Sequence, residues 1–172
     1  MERSVSVPVL VSRPEVPYVG IRRSVTMSTF SEVADRLPDV LAWMDAHSLA
    51  PAGPPFFRYH VIDMERELLV EAGVPVDESI AQPGGDVAPG VLPAGTYAVT
   101  THVGHPDELV QVTADLLAYG DAHGWVWDRH ETPDGDAWGS RLELLLTDPR
   151  VEPDMSRWET QLAFRLADVP ST

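Results

Sequence analysis

The residue that carries the most chemistry in this chain is Glu143. It interrupts Ser140-Arg-Leu-Glu-Leu-Leu-Leu146, a stretch whose alternation predicts a β-strand with two faces. Leu142, Leu144 and Leu146 share one face and suit packing beneath a helix, while Arg141, Glu143 and Leu145 share the other. The last predicted strand, Arg157 to Leu166, places Trp158, Thr160, Leu162, Phe164 and Leu166 on one side and Glu159, Gln161, Ala163 and Arg165 on the other. If the two strands are neighbours, Glu143 and Gln161 both line the face that helices leave free. A carboxylate there, incompletely hydrated among aromatic rings, would attract a lipophilic cation, each ring face adding roughly 0.5–2 kcal/mol. The same burial would raise its pKa and make it a general acid or base. The competing reading is an edge-exposed glutamate paired with Arg141 or Arg165, and alternation alone does not separate the two.

Other candidate chemistry is weaker. His102-Val-Gly-His105, followed by Asp107 and Glu108, has a two-ligand metal spacing. It has no third ligand at a convincing distance, and its place before a predicted helix favours turn chemistry and capping. No metal and no cofactor are expected. The chain has 0 cysteines, which excludes thiolate catalysis and a disulfide framework, and all 12 of its basic residues are Arg, which excludes Lys Schiff bases and a Walker loop. Trp125-Val-Trp127 reads as a hydrophobic anchor after a helix, or as a lid.

Against those 12 basic residues stand 27 acidic ones, a formal charge of −15 over 172 residues. That is the wrong sign for nucleic acid or an anionic membrane. No apolar run approaches the roughly 20 residues that span a bilayer. The N-terminus lacks the layout of a signal peptide. The expectation is a cytoplasmic protein that binds neither nucleic acid nor membrane, its protein partners unknown.

The elements that must position Glu143 follow from periodicity. Strands are predicted at Val5–Val11 (at a sheet edge, because Pro8 has no N–H to donate), Val16–Val25, Phe56–Ile62, Arg66–Val76, Leu92–Val103, Ala137–Thr147 and Arg157–Leu166. Phe30, Val33, Leu37, Val40, Leu41 and Met44 have helical spacing, with Thr29 and Glu32 placed as a capping box and Pro38 predicting a kink or a short turn before the main helix. Pro106 to His123 is the second helix, with Pro at its start. Asp77–Gly90 reads as a connector and Trp125–Asp136 as a polar loop.

The order strand, helix, strand, strand thus occurs twice. Asp39-Val-Leu-Ala-Trp-Met-Asp-Ala-His47 is echoed by Asp115-Leu-Leu-Ala-Tyr-Gly-Asp-Ala-His123 at an offset of 76. Two Ala-rich amphipathic helices share some identity by chance, but the matched element order favours duplication. The fold class is therefore α+β: one domain over 1–172, made of two tandem modules at about 5–76 and 91–168 joined by a connector at about 77–90. Antiparallel sheets related by a pseudo-twofold axis would carry helices on one face, leaving a central ligand cleft on the other.

With this organisation in place, an ordered set of short pieces resembles the GyrI-like small-molecule-binding domains, relatives of the effector-binding domains of AraC-type and MerR-type multidrug regulators. The pieces are Gly53-Pro-Pro-Phe-Phe-Arg-Tyr59, Glu71-Ala-Gly-Val-Pro-Val76, Leu92-Pro-Ala-Gly-Thr-Tyr97, Leu142-Glu143 with Thr147-Asp-Pro149, and Trp158-Glu-Thr-Gln-Leu162. The resemblance implies a groove for bulky, often cationic, aromatic compounds. It assigns Glu143 to the acid of the groove floor and Tyr59 to an aromatic lining it, with Trp138 and Trp158 as further candidates. Gln161 stands where relatives often carry a second acid, which would weaken any preference for dications. It also implies a stand-alone form that senses or sequesters drugs. A second implication is an enzyme that hydrolyses cyclopropane-bearing electrophilic DNA alkylators, with Glu143 activating water and Tyr59 or Trp138 as polar partner. A third is inhibition of a topoisomerase by an acidic, DNA-like surface.

Overall fold

The structure is a computed structural model that describes residues 7–63, 65–77 and 85–168. Its elements are β1 (Val9–Arg13), β2 (Val16–Val25), α1 (Ser31–Ala34), α2 (Leu37–Ala46), β3 (Phe56–Ile62), β4 (Leu68–Pro75), β5 (Ala88–Leu92), β6 (Gly95–Val103), α3 (Leu109–Ala122), β7 (Arg129–Thr132), β8 (Gly135–Trp138), β9 (Arg141–Leu145) and β10 (Glu159–Arg165). The strands form one sheet in the order β1-β6-β10-β9-β3-β4-β2-β5, with the β7–β8 hairpin attached to β3. Every pairing is antiparallel. Outward from the central β3–β9 pair the order is β4-β2-β5 on one side and β10-β6-β1 on the other, so the two halves correspond strand for strand.

The helices begin and end for local reasons. The predicted kink at Pro38 is a break into α1 and α2, with Pro38 in the first turn of α2, where its missing N–H costs no bond. The Thr29 capping box does not form. Phe30 holds the cap position of α1, and the Thr29 hydroxyl instead accepts from the Thr26 N–H at 2.8 Å. The two echoed helix ends are built alike. His47 Nδ1 bonds the Trp43 carbonyl oxygen at 2.8 Å and His123 Nδ1 that of Tyr119 at 2.7 Å, each imidazole stacked on the aromatic ring four residues back. Gly120 brings α3 close to its neighbours, since a Cβ there would overlap the Trp127 ring.

Three strand boundaries differ from expectation. Leu92–Val103 is broken at Pro93-Ala94 into β5 and β6, and β5 begins inside the predicted connector, pairing with β2. The predicted loop 125–136 contains β7 and the start of β8, turning at Pro133-Asp-Gly135, where Gly135 has φ 130°. Ala137–Thr147 is interrupted at Gly139-Ser140 between β8 and β9. The expected edge strand is β1, which pairs only with β6 among the described residues. Residues 1–6 and 78–84, parts of the predicted first strand and connector, lie outside the described residues.

The sheet has two buried faces. α1 and α2 rest on β2 and β4, and α3 rests on β6. Under α2, Val40 and Met44 pack on Val19, Ile21 and Val74; under α3, Leu109 and Leu116 pack on Ala98, Leu162, Phe164 and Trp127. The other face bears no helix. The sheet curls so that Tyr18, Phe56, Leu92, Tyr97, Val99, Leu142, Leu144 and Ala163, from both halves, bury one another there. This overturns the expectation that Leu142 and Leu144 lie beneath a helix. The helices sit over the flanking strands and leave the outward side of the central pair, β3 and β9, between them. Among the described residues no helix is long and apolar enough to cross a membrane.

Candidate functional site

Because α1 and α2 rest on β2 and β4 and α3 rests on β6, the outward side of β3 and β9 forms the floor of a trough between the helices. Register decides which residues reach it. Glu143 on β9 is paired with Leu162 of β10 and Phe57 of β3, both on the side that the helices flank, so Glu143 lies on the helix-bearing face. Gln161 is paired with Leu144 and therefore points to the opposite, concave face. The expectation that Glu143 and Gln161 share the helix-free face is corrected for Glu143, while Gln161 does lie on that face. A one-residue offset in antiparallel register sends neighbouring side chains to opposite sides. Gln161 Oε1 instead accepts from Arg13 Nη2 at 2.7 Å, next to a pocket of about 200 Å³ lined in part by Arg13, Pro54, Tyr97, Leu142 and Leu144.

On the trough floor the Tyr59 hydroxyl donates to Glu143 Oε1 at 2.8 Å. Both residues are half-buried. Desolvation pushes the Glu143 carboxyl above the usual glutamate range, and the Tyr59 hydrogen bond and the Arg141 charge only partly offset it. Burial, the Glu143 charge and the same hydrogen bond hold Tyr59 well above the ordinary phenol range. Phe30, just before α1, stacks on Tyr59 with centroids 6.1 Å apart and meets Phe57 edge-on at 5.2 Å.

Arg141 is the third polar member of the floor. Its guanidinium carbon lies 4.7 Å from the ring centre of Phe164, 5.1 Å from Trp138 and 5.6 Å from Tyr59. Burial lowers its pKa from the arginine value. Trp138, buried at the end of β8, meets Phe164 at 5.5 Å and Trp127 at 6.1 Å. The strand break at Gly139-Ser140 and the hairpin put Trp138 beside this floor.

Glu143, Tyr59 and Trp138, of the five residues expected in the site, thus come together. Trp158 does not join them. It precedes β10 and donates its indole N–H to the Glu152 carbonyl at 2.7 Å. Gln161 lies on the other face. Glu143 is on a central strand rather than an edge, and its hydrogen bond is to Tyr59. Arg165, its other expected partner, pairs with Asp128 at 2.9 Å and Asp168 at 2.8 Å. Sequence reading missed Arg141 as a member of an aromatic cluster, although its i−2 spacing from Glu143 put both on one face, and it missed Phe30 and Phe164. His102 Nε2 lies 3.3 Å from Glu108 Oε1, and His105 Nδ1 accepts from the Asp107 N–H at 3.0 Å, so both serve the turn before α3.

A second ionic cluster occupies the concave face. Glu71, 1% exposed, accepts from the Tyr18 hydroxyl, has His60 Nε2 at 2.8 Å and Arg22 Nε at 3.6 Å. Arg58 in turn donates to the Tyr18 oxygen at 3.0 Å. Burial works to raise the Glu71 pKa, but His60, Tyr18 and Arg22 together bring it below the usual value. The cluster ties β2, β3 and β4 together.

Comparison with known proteins agrees with this architecture. Residues 7–160 match the GyrI-like small molecule binding domain. No curated protein matches the chain at the level of sequence. Among solved structures, the EcmrR C-terminal domain is similar over 95% of this chain and 99% of its own, at 20% identity and a TM-score of 0.76. The chain spans 58% of the longer EcmrR chain solved in a complex with DNA. SAV2435 bound to tetraphenylphosphonium is similar over 94% of both chains, at 13% identity and a TM-score of 0.59. A hydrolase from Listeria innocua covers 93% of this chain and 91% of its own, at 14% identity and a TM-score of 0.59. At these identities the structures share the fold. The family match, spanning nearly all of the sheet together with α1, α2 and α3, goes further: the chain belongs to the GyrI-like small-molecule-binding domains.

Proposed function

We propose that the chain binds bulky aromatic small molecules in the trough between α1–α2 and α3, with Glu143 as the acid on its floor and Tyr59 and Trp138 among its ring contacts. The observation that carries this reading is the half-buried Tyr59–Glu143 pair, seated between two groups of rings on the stretch of sheet between the helices. A partly desolvated acid beside aromatic faces offers a ligand ring contact and one polar anchor, the combination of most small-molecule sites. The family description and the tetraphenylphosphonium held by the similar SAV2435 support the same class of ligand. Nucleic acid is a poor partner for a chain of net charge −15, and a cytoplasmic role as sensor or sink for such compounds fits this reading. Titration with Nile red, a neutral fused-ring fluorophore, should show saturable binding that Trp138→Ala weakens by about tenfold. Affinity unchanged in Trp138→Ala and in Glu143→Gln would remove the trough as the site.

A second reading is favoured by the raised Glu143 pKa, which suits a general base. Glu143 would take a proton from water as the water oxygen attacks a cyclopropane carbon. The electron pair of the breaking C–C bond would pass into a conjugated ligand carbonyl held by the Trp138 indole N–H, or by the Tyr59 hydroxyl once it turns from Glu143. Such hydrolysis would detoxify cyclopropane-bearing DNA alkylators, and hydrolases occur among the similar structures. Incubation of such an alkylator with substoichiometric protein separates the readings. Several turnovers to ring-opened product, abolished in Glu143→Gln, establish the enzyme, and binding without turnover establishes the sink.

A further inference from the structure

Arg141 is the member of the trough floor that neither function employs. One cation surrounded by the rings of Phe164, Trp138 and Tyr59, at 4.7, 5.1 and 5.6 Å, is what an aromatic cage offers a cationic ligand. Here the chain fills the cage with its own side chain. A guanidinium has five N–H donors. Arg141 Nε is buried without a hydrogen-bond partner, and Arg141 acts on Glu143 through its charge, with no contact ion pair between them among the described residues. The floor thus has one N–H without an acceptor among the described residues.

Its charge balance points the same way. Ionised Glu143 and Arg141 sum to zero, and protonation of Glu143 leaves the floor positive. Further out, Arg129, whose guanidinium carbon is 5.4 Å from the Trp138 ring centre, is offset by Asp136. The floor itself carries no net negative charge to draw in a permanent cation, and a second cation stacking on these rings would meet the charge of Arg141 already beside them. A guanidinium, being flat, remains stacked on rings while its edge donates to a ligand oxygen.

Building on the trough reading above, we propose that Arg141 sets the ligand preference of the site. It selects neutral multi-ring compounds that present a carbonyl or comparable oxygen acceptor to the guanidinium, and it disfavours permanent aromatic cations. The sequence-based expectation of a cation held by Glu143 is thereby narrowed, because the chain supplies that cation itself.

A matched pair of probes tests this: triphenylphosphine oxide, neutral with a strong oxygen acceptor, and tetraphenylphosphonium, a permanent cation of similar ring content. Calorimetric titration of the full chain should give binding of the oxide at least about tenfold tighter than the cation. Arg141→Met should reverse the order, weakening the oxide and strengthening the cation. Arg141→Lys, which keeps charge but loses the flat fork, should weaken the oxide while still disfavouring the cation. Tighter binding of the cation by the native chain, or an order unchanged in Arg141→Met, overturns the proposal while leaving the trough reading intact. The native order decides the matter even if a variant fails to fold. Affinities for both probes that ignore Trp138→Ala and Glu143→Gln place the binding elsewhere and overturn the trough reading itself. Failure of the native chain to bind the oxide overturns the role of Arg141.

Discussion

Replacing Tyr59 with Phe removes one hydroxyl from the trough floor and leaves Glu143 without the hydrogen bond that offsets its burial. A hydrogen bond to an ionised group contributes about 1.5–3 kcal/mol, and a half-buried pair belongs in the lower part of that range. When the carboxyl is protonated the bond is between neutral groups and contributes about 0.5–1.5 kcal/mol. The cost of Tyr59→Phe therefore depends on pH, and its sign follows from the direction of the Glu143 shift. The folded pKa of Glu143 is raised, so its contribution to stability is fully present below the unfolded value, about 4.3, and is lost as pH rises through the folded value. Without the Tyr59 donor that folded value rises further, so the loss across this window is larger in the variant. Urea denaturation at about pH 4 and pH 7 should show a penalty about 1 kcal/mol greater at the higher pH. At pH 7 the variant should melt about 3–8 °C below the native protein, since a domain of this size loses about 2–4 °C per kcal/mol. In a Glu143→Gln background the pH dependence of the penalty should vanish. A penalty equal at both pH values, or a pH dependence that persists once the carboxylate has been replaced by a neutral amide, refutes the coupling between these two groups.

Two further outcomes follow from the opposite face and from α3. Glu71→Gln removes the charge that Tyr18, His60 and Arg22 converge on and should cost about 2–4 kcal/mol in urea at neutral pH. Because the folded pKa of Glu71 is lowered, its contribution is present above the unfolded value and lost as pH falls through the folded one, so the variant should lose less stability than the native protein on acidification. Gly120→Ala should lower the melting temperature despite a helix-propensity gain of about 1 kcal/mol, because the added methyl meets the Trp127 ring; a rise would show that the ring shifts freely.

Two strands were readable to the residue. Val16–Val25 and Phe56–Ile62 are β2 and β3 as expected, because their β-branched and aromatic residues are bounded by turn-forming ones, although both faces of each contribute to buried clusters. The β7–β8 hairpin was not readable, since Arg129-His-Glu-Thr132 carries no apolar residue and only the Pro133-Asp-Gly135 turn announces it. Glu143 and Tyr59 emerged because a carboxylate in a leucine strand is anomalous and the family pattern supplied the tyrosine. Their face was misassigned for a definite reason. Alternation separates two sides of a strand but does not say which side a distant helix covers, and on the central strands the leucine-rich side belongs to the inward curl. Arg141 escaped notice as a cage-filler because its rings come from β3, β8 and β10, which only the folded sheet gathers.

The outermost strands are exchanged: β1 leaves the first half to pair with β6, and β5, which leads into the second half, pairs with β2. Each half is thus sealed along its margin by a piece of the other, in the manner of two interlocked clasps. Cutting the chain between β4 and β5 would sever one covalent link, yet each fragment would still hold a strand of its counterpart. Neither half is a free-standing unit, and a molecule that prises open or braces the trough at their junction acts on the whole sheet at once.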